Sequence, residues 1–475
     1  IIYLFFETIN LYSGQKYYYI LFSIISVGYL YNSLSTKTSF IHLFLSLFLF
    51  LGFWFKFSIN TFYNTKFTSG NYYAEGTGDF DFSPESLDKV LLVSTLAILS
   101  FMLGKSVNLL KIKKNNISNK HKFDNSFIYF IFLIFTIICL INFYYQIYLK
   151  GLIGNYIENF LLYNFYAWFY QLGSLIITAY LIDQKLKKNE YFNITLILII
   201  YLSIFSITFN SRNYIFFILP YFTSIYIFSI KNNLKFEGEI RFYILLILSI
   251  FLFYISVIFS NIFRSNDFKI FQNDLTSSKI ELNSQENVNK TINKKNLINF
   301  GNNKRADLSI FQIIKNRFVG IDSLMSVEAK QNKNFDLYLN SFKEEFKLNE
   351  ITYFEKNFHN TVNLGQFKSD KKHFVVLPGM IGHLYYTGSI TYLFISIFII
   401  SVLITLLENF IRNKYDSICL SSVISYLIVY RIIHFGYVPQ QTYKYVLGII
   451  LGLVIIFIFN ILTRYAKKNF KFNSN

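Results

Sequence analysis

An all-α polytopic membrane protein is the fold class this chain predicts, on three observations. Apolar stretches of about 20 residues recur along the sequence, each long enough to cross a bilayer as a helix. Hydrophobic residues make up 53% of the 475-residue chain and charged residues only 15%, where soluble domains carry about 25% charged residues. The connections between the stretches are short and rich in Lys, as cytoplasmic loops are.

The apolar runs place spans at residues 17–35, 39–59, 88–108, 125–148, 158–182, 191–209, 213–230, 242–263, 384–406, 418–434 and 442–462. Residues 1–12 read as the tail of one more, so about eleven or twelve helices are expected. The chain opens at Ile1 inside an apolar run. The expectation is that the natural N-terminus lies upstream and that the first span serves as the targeting signal. Cys139 and Cys419 both fall inside spans, where they offer neither a disulfide framework nor zinc-ligand spacing.

Charge orients the array. Lys111, Lys113 and Lys114, then Lys185, Lys187 and Lys188, then Lys231, Lys235 and Arg241 fall on one side, with Arg412, Lys414 and the basic tail from Arg464. The positive-inside rule makes that side cytoplasmic. It also accounts for a formal net charge of +18, which is spread through loops rather than gathered on a nucleic-acid-binding face, so no nucleic-acid partner is expected. The opposite loops are 60–87, 149–157, 209–213, 264–383 and 435–441. The chain therefore divides into N-terminal spans 1–263, a large external loop 264–383, and C-terminal spans with a cytoplasmic tail 384–475.

Inside the long loop, residues 272–304 are rich in Asn, Ser, Lys and Gln and read as a flexible stretch. Residues 305–330 and 336–358 carry amphipathic patterns, expected as short helices lying at the membrane surface. No internal repeat is present, which weighs against an inverted-repeat transporter.

Arginine is scarce beside lysine, and five arginines fall on the outer side against the positive-inside trend: Arg212, Arg264, Arg305, Arg317 and Arg431. A guanidinium keeps its charge and presents a planar fork to phosphate oxygens, so this set suits a pyrophosphate-linked lipid. Snorkelling to headgroups, or pairing with Asp267, Asp307 or Asp322, is the bland reading for each alone. Arg431 is the deepest, one helical turn before His434. His383, which opens the ninth span, and His434 are candidates to accept a proton from an acceptor hydroxyl or to bond a phosphate. Tyr385 and Tyr437, close to these histidines, are candidate substrate contacts. His359 and His373 have weaker claims, and His42 and His121 fall on the cytoplasmic side. Asp79-Phe80-Asp81 has the spacing of a carboxylate metal pair, but its surroundings equally suit a turn leading into a helix at Ser86. No metal or other cofactor is expected.

These outer-face residues resemble those of the Wzy-type O-antigen and oligosaccharide repeat-unit polymerases. The likeness rests on the many spans, the long late external loop, and short stretches: Phe82-Ser83-Pro84-Glu85-Ser86-Leu87, Asn210-Ser211-Arg212, Arg317-Phe318-Val319-Gly320, and Pro378-Gly379 followed by Gly382-His383-Leu384-Tyr385-Tyr386-Thr387-Gly388. The resemblance implies a C-type glycosyltransferase fold of the polymerase/ligase branch in a bacterial inner membrane, with the large loop periplasmic or extracellular. It implies metal-independent, inverting transfer between undecaprenyl-pyrophosphate-linked glycans, one as donor and one as acceptor, beside membrane lipid and a chain-length-regulating co-polymerase. Arg212, Arg264 and Arg431 would hold the donor pyrophosphate, and His383 would assist the acceptor. Many such polymerases carry an acidic residue where this chain has His383. A ligase moving glycan to lipid A core or protein, and a lipid-linked oligosaccharide flippase, are the alternatives.

Overall fold

The computed structural model describes residues 1–36, 39–64, 77–107, 125–150, 160–186, 191–211, 213–231, 243–260, 262, 318–344, 352–358, 377–434 and 439–472. Among these the regular elements are helices throughout, as an apolar solvent requires: only a helix or a closed barrel satisfies every backbone group internally. Seven helices are long and apolar enough to cross a membrane: Phe40–Phe62, Pro84–Ser106, Phe127–Tyr145, Leu161–Asp183, Tyr243–Ser260, Ile390–Tyr415 and Pro439–Leu462. Four further apolar helices, Ile2–Leu11, Phe192–Thr208, Phe217–Phe228 and Ile418–Ile433, are shorter. Each apolar run expected as a span is occupied by a helix, so the all-α multi-pass architecture holds.

One boundary differs from expectation. The ninth span does not begin at 384. Residues Gly379–Leu384 form a separate short helix and Tyr385–Thr387 a tight turn. Gly388 then adopts φ 72°, a left-handed conformation that ends the turn. Ser389 starts the span by accepting a hydrogen bond from Tyr392 N at 3.2 Å.

Buried carboxylates cap helices from outside their own sequence. A helix start leaves backbone N–H groups without partners, and its dipole favours an anion there. Glu408, buried in span 390–415, accepts from Ser39 Oγ at 2.5 Å, Phe40 N at 2.8 Å and Ile41 N at 3.1 Å. Asp183 accepts from Ile418 N at 2.8 Å and Cys419 N at 3.2 Å. Asp88 accepts from Gln15 N at 2.9 Å and the Tyr12 hydroxyl at 2.7 Å. Each of these costly buried charges therefore fixes one span against the start of another.

Close helix approach does the rest. Gly104 faces Ser401, whose hydroxyl donates to Phe101 O at 3.0 Å, while Ser100 donates to Phe394 O at 2.6 Å. Trp168 Nε1 donates to Gly448 O at 3.0 Å, joining spans 161–183 and 439–462.

Asn142 bonds Tyr148 and Thr208 and Lys150 N donates to Phe209 O, so the turns after 145 and 208 lie together. Lys105 Nζ donates to Asn32 Oδ1 at 3.0 Å, joining the helices Lys16–Thr36 and Pro84–Ser106.

The described part of the long loop is not laid on the membrane surface throughout. Ile321–Val327 are buried, and this helix packs against span 84–106, the helix 379–384 and the 50–55 segment of span 40–62. A Cβ on Gly320 would lie 2.5 Å from the Gly52 carbonyl oxygen in the middle of that span. Both partners there are backbone, so nothing larger than glycine fits. Lys56 Nζ, 1% exposed, sits 3.0 Å from Asp322 Oδ2 and donates to Phe318 O at 3.0 Å. The loop thus re-enters the helix bundle. The expected amphipathic helix over 305–330 is realised as a buried helix over Ile321–Ala329, because a buried lysine supplies the partner its Asp322 needs. Residues 272–304 and 305–317 lie outside the described residues.

Candidate functional site

Arg431 lies in a π-helical turn, Val429–His434, that ends a helix buried on all faces from Cys419 to Ile428. Insertions of this type widen a helix by a fraction of a turn and recur at functional positions. Two others occur among the described residues, at Phe50–Phe55 and Phe169–Gly173. All three gather around the same region. Phe48, just before the first, packs against Tyr426 and Tyr430, with ring centroids at 6.1 and 5.8 Å. Tyr170 lies within the second, in electrostatic reach of the Arg431 guanidinium.

Arg431 is 5% exposed. Its guanidinium carbon stands 5.3 Å from the Tyr430 ring centroid, and Tyr430 stacks on Tyr426 at 5.4 Å with the planes 11° apart. Tyr148 and Tyr426 also lie within its electrostatic reach. Ring faces and phenolic dipoles are what a cation removed from water can use in place of hydration. Around it the tyrosines are fixed. Gln171 Nε2 donates to the Tyr148 hydroxyl at 3.0 Å, and the Tyr170 hydroxyl donates to Ser211 Oγ. Ser211 also accepts from Asn213 N at 3.1 Å, and Ser260 donates to its carbonyl at 3.3 Å.

Ser211 and Asn213 flank Arg212. The structure therefore brings the backbone turn that carries one expected phosphate ligand against the tyrosine that borders another. Arg212, Arg264, Arg305, Arg317 and Tyr437 themselves lie outside the described residues, as does the side chain of His434.

His383 is placed on the neighbouring helix 379–384, which packs against the Arg431 turn. Its Nε2 hydrogen-bonds Ser341 Oγ at 2.9 Å, and the rings of Tyr386, Tyr338 and Phe342 stand 5.0, 5.2 and 5.8 Å away. Burial pushes its pKa down to about 4, so the imidazole is neutral at pH 7. In this arrangement it serves as a hydrogen-bonded joint between two loop segments. Tyr385, 1% exposed, lies beside Glu328 with Lys333 Nζ 5.5 Å over its ring, turned into the loop's own core. Lys333 in turn bonds Glu328 at 3.2 Å and closes the C-terminus of helix 321–329 through the carbonyls of Glu328 and Lys330.

Asp81 Oδ1 accepts from Ser83 N at 3.0 Å and Ser83 Oγ at 3.1 Å, and Ser83 caps the helix that starts at Pro84. Hydrogen bonds to the charged carboxylate hold its pKa below the usual range. Among the described residues no three His, Cys, Asp or Glu side chains form a metal-ligating group.

A shallow apolar crevice borders the Arg431 turn. Phe48, Phe53, Gly320, Met380, Val429 and Ile433 are among its walls. Hydrocarbon lining of this kind has nothing to offer a phosphate.

Sequence reasoning passed over Lys56. It stands alone in Phe53-Trp54-Phe55-Lys56-Phe57, and a lone ionisable group in an apolar run demands a partner. That signal calls for a buried counter-charge without naming it. No protein-family profile, curated protein or solved structure matches this chain.

Proposed function

We propose that the protein joins lipid-linked oligosaccharide repeat units at the outer membrane face, as a glycosyltransferase of the kind the Wzy-type polymerases represent, with Arg431 as ligand to the donor pyrophosphate. The observation that carries this reading is a buried guanidinium among tyrosines, beside the turn bearing Arg212. A permanent cation so placed favours an anion, and a pyrophosphate leaving group gathers negative charge as its bond to sugar breaks.

In this reading the acceptor hydroxyl attacks the anomeric carbon of the donor chain from the face opposite the pyrophosphate. The carbon–oxygen bond to pyrophosphate breaks with its electron pair going to the leaving group. The hydroxyl proton leaves to a base or to water. With a pKa near 4, His383 is a weak base at neutral pH and is assigned to positioning, through Ser341, rather than to proton transfer.

Deleting the gene in its own host tests the class. A polymerase predicts surface glycan reduced to single repeat units. A ligase predicts loss of all attached glycan with lipid-linked chains retained, and a flippase predicts repeat units accumulating on the cytoplasmic face; either result rejects the proposal.

A further inference from the structure

The segment from Phe335 to Lys343 divides its side chains among three directions. Its helix Phe335–Asn340 continues into a tight turn, Ser341–Lys343. Tyr338 and Ser341 are buried against the protein, where the Tyr338 ring lies 5.2 Å from that of His383, tilted by 49°, and Ser341 hydrogen-bonds it. Asp336, Asn340 and Lys343 are exposed and polar, with Lys343 Nζ bonding Asn340 Oδ1 at 3.1 Å. Phe335, Leu339 and Phe342 remain 49%, 47% and 50% exposed along a third direction, the Phe342 ring at its edge also reaching to 5.8 Å from His383. Their i, i+4, i+7 spacing makes them a single stripe.

Three aromatic and aliphatic side chains in water would be a costly arrangement in a loop otherwise rich in Lys and Asn. What covers them is shown by the neighbouring span. Phe335 meets Tyr392 edge-on, with ring centroids 5.6 Å apart and planes at 89°. Tyr392 lies in the first turn of span 390–415. Down that span Ile395, Ile399, Leu403 and Leu407 are exposed at every fourth position, the face a membrane helix turns to lipid. The stripe on 335–343 therefore continues the lipid-facing surface of the span at the level where the span begins. Tyr338 and Tyr392, 5.6 Å apart, occupy the position aromatic side chains take at a membrane boundary.

We infer that residues 335–343 form an interfacial anchor, with Phe335, Leu339 and Phe342 embedded in bilayer lipid, and that the opposite side of this anchor holds His383 in place. The occupant is the bilayer itself rather than a protein partner. The anchor and the proposed glycosyl transfer are independent, since the first rests only on the exposed stripe and its continuity with the span.

Nitroxide scanning tests it on the full chain reconstituted in phosphatidylethanolamine/phosphatidylglycerol vesicles. Cys139 and Cys419 are buried, so introduced thiols are labelled selectively. Labels at Phe342→Cys and Leu339→Cys are expected to collide several-fold more with oxygen, which partitions into lipid, than with a water-soluble nickel chelate. A label at Asp336→Cys should show the reverse order. Chelate-dominated collision at both 339 and 342 overturns the inference. Exclusion of both relaxants from these positions also overturns it, because that pattern belongs to a protein partner. Two positions on the stripe keep the result decisive if one variant fails to fold.

Discussion

Replacing Lys56 by Met is expected to destabilise the protein by about 3–5 kcal/mol, the cost of leaving a buried carboxylate without its counter-ion. Asp322 is 0% exposed, and besides pairing with Lys56 it accepts a hydrogen bond from the Gly320 backbone N–H at 3.3 Å. Lys56 also holds the Phe318 carbonyl, so its loss releases the segment 318–322 at two points. The double replacement Lys56→Met with Asp322→Leu removes both charges and is expected to recover most of that loss, because buried pairs break roughly even with apolar substitutes. Thermal unfolding in detergent, read for the single and double variants, separates the two cases. If the single variant melts with the parent protein, the re-entrant docking of 318–327 does not depend on this pair.

The second large effect is expected at Arg431. Arg431→Ala should lower chain polymerisation by roughly 10²–10³-fold, the loss typical when one preorganised group facing a developing negative charge is removed. Membrane insertion and the unfolding profile should be retained, since the tyrosines around it are tied to Ser211 and Gln171 and to one another. Arg431→Lys keeps the charge and loses the planar two-pronged fork, so it should restore only a small part of the activity. Glycan laddering in a deletion strain carrying each variant reads both. Full-length glycan from Arg431→Ala would remove Arg431 from the proposed site.

The elements that sequence made legible are those whose physics is local. Hydropathy over a span length located the helices, because it depends on a few tens of adjacent residues. The depth of Arg431 was legible in the same way, from its position inside an apolar run. The missing features depend on residues distant in the chain. Asp183 caps the helix beginning at Ile418, Glu408 caps the one beginning at Phe40, and Lys56 pairs with Asp322. Nothing in the neighbourhood of any of these names its partner. Glu408, in the last third of its own helix, is buried and triply bonded to the start of another. His383 was read as opening a span, because no local signal distinguishes a short helix and a Gly388 turn from the start of a longer helix once the flanking sequence is apolar. Its Ser341 partner lies in another part of the loop, so the closed environment of the imidazole became visible only with the tertiary structure.

The lipid-facing stripe at 335–343 and the helix 321–329 show how one loop serves two solvents. Ile321–Val327 are drawn into the bundle, where a salt bridge and backbone contact at Gly52 hold them. The later segment stays at the rim with Phe335, Leu339 and Phe342 exposed. Amphipathic periodicity alone does not distinguish these outcomes, since both segments alternate in the same manner.

The central claim is that this chain transfers glycan between lipid carriers at the Arg431 site. Its most direct test gives purified, reconstituted protein a polyprenyl-pyrophosphate-linked oligosaccharide as the only substrate and follows both products. The account predicts a ladder of lipid-linked chains longer by whole repeat units, with free polyprenyl pyrophosphate released in equal number to the linkages formed. Substrate recovered unchanged by protein shown to be folded, or moved across the vesicle membrane without any new glycosidic bond, would contradict it.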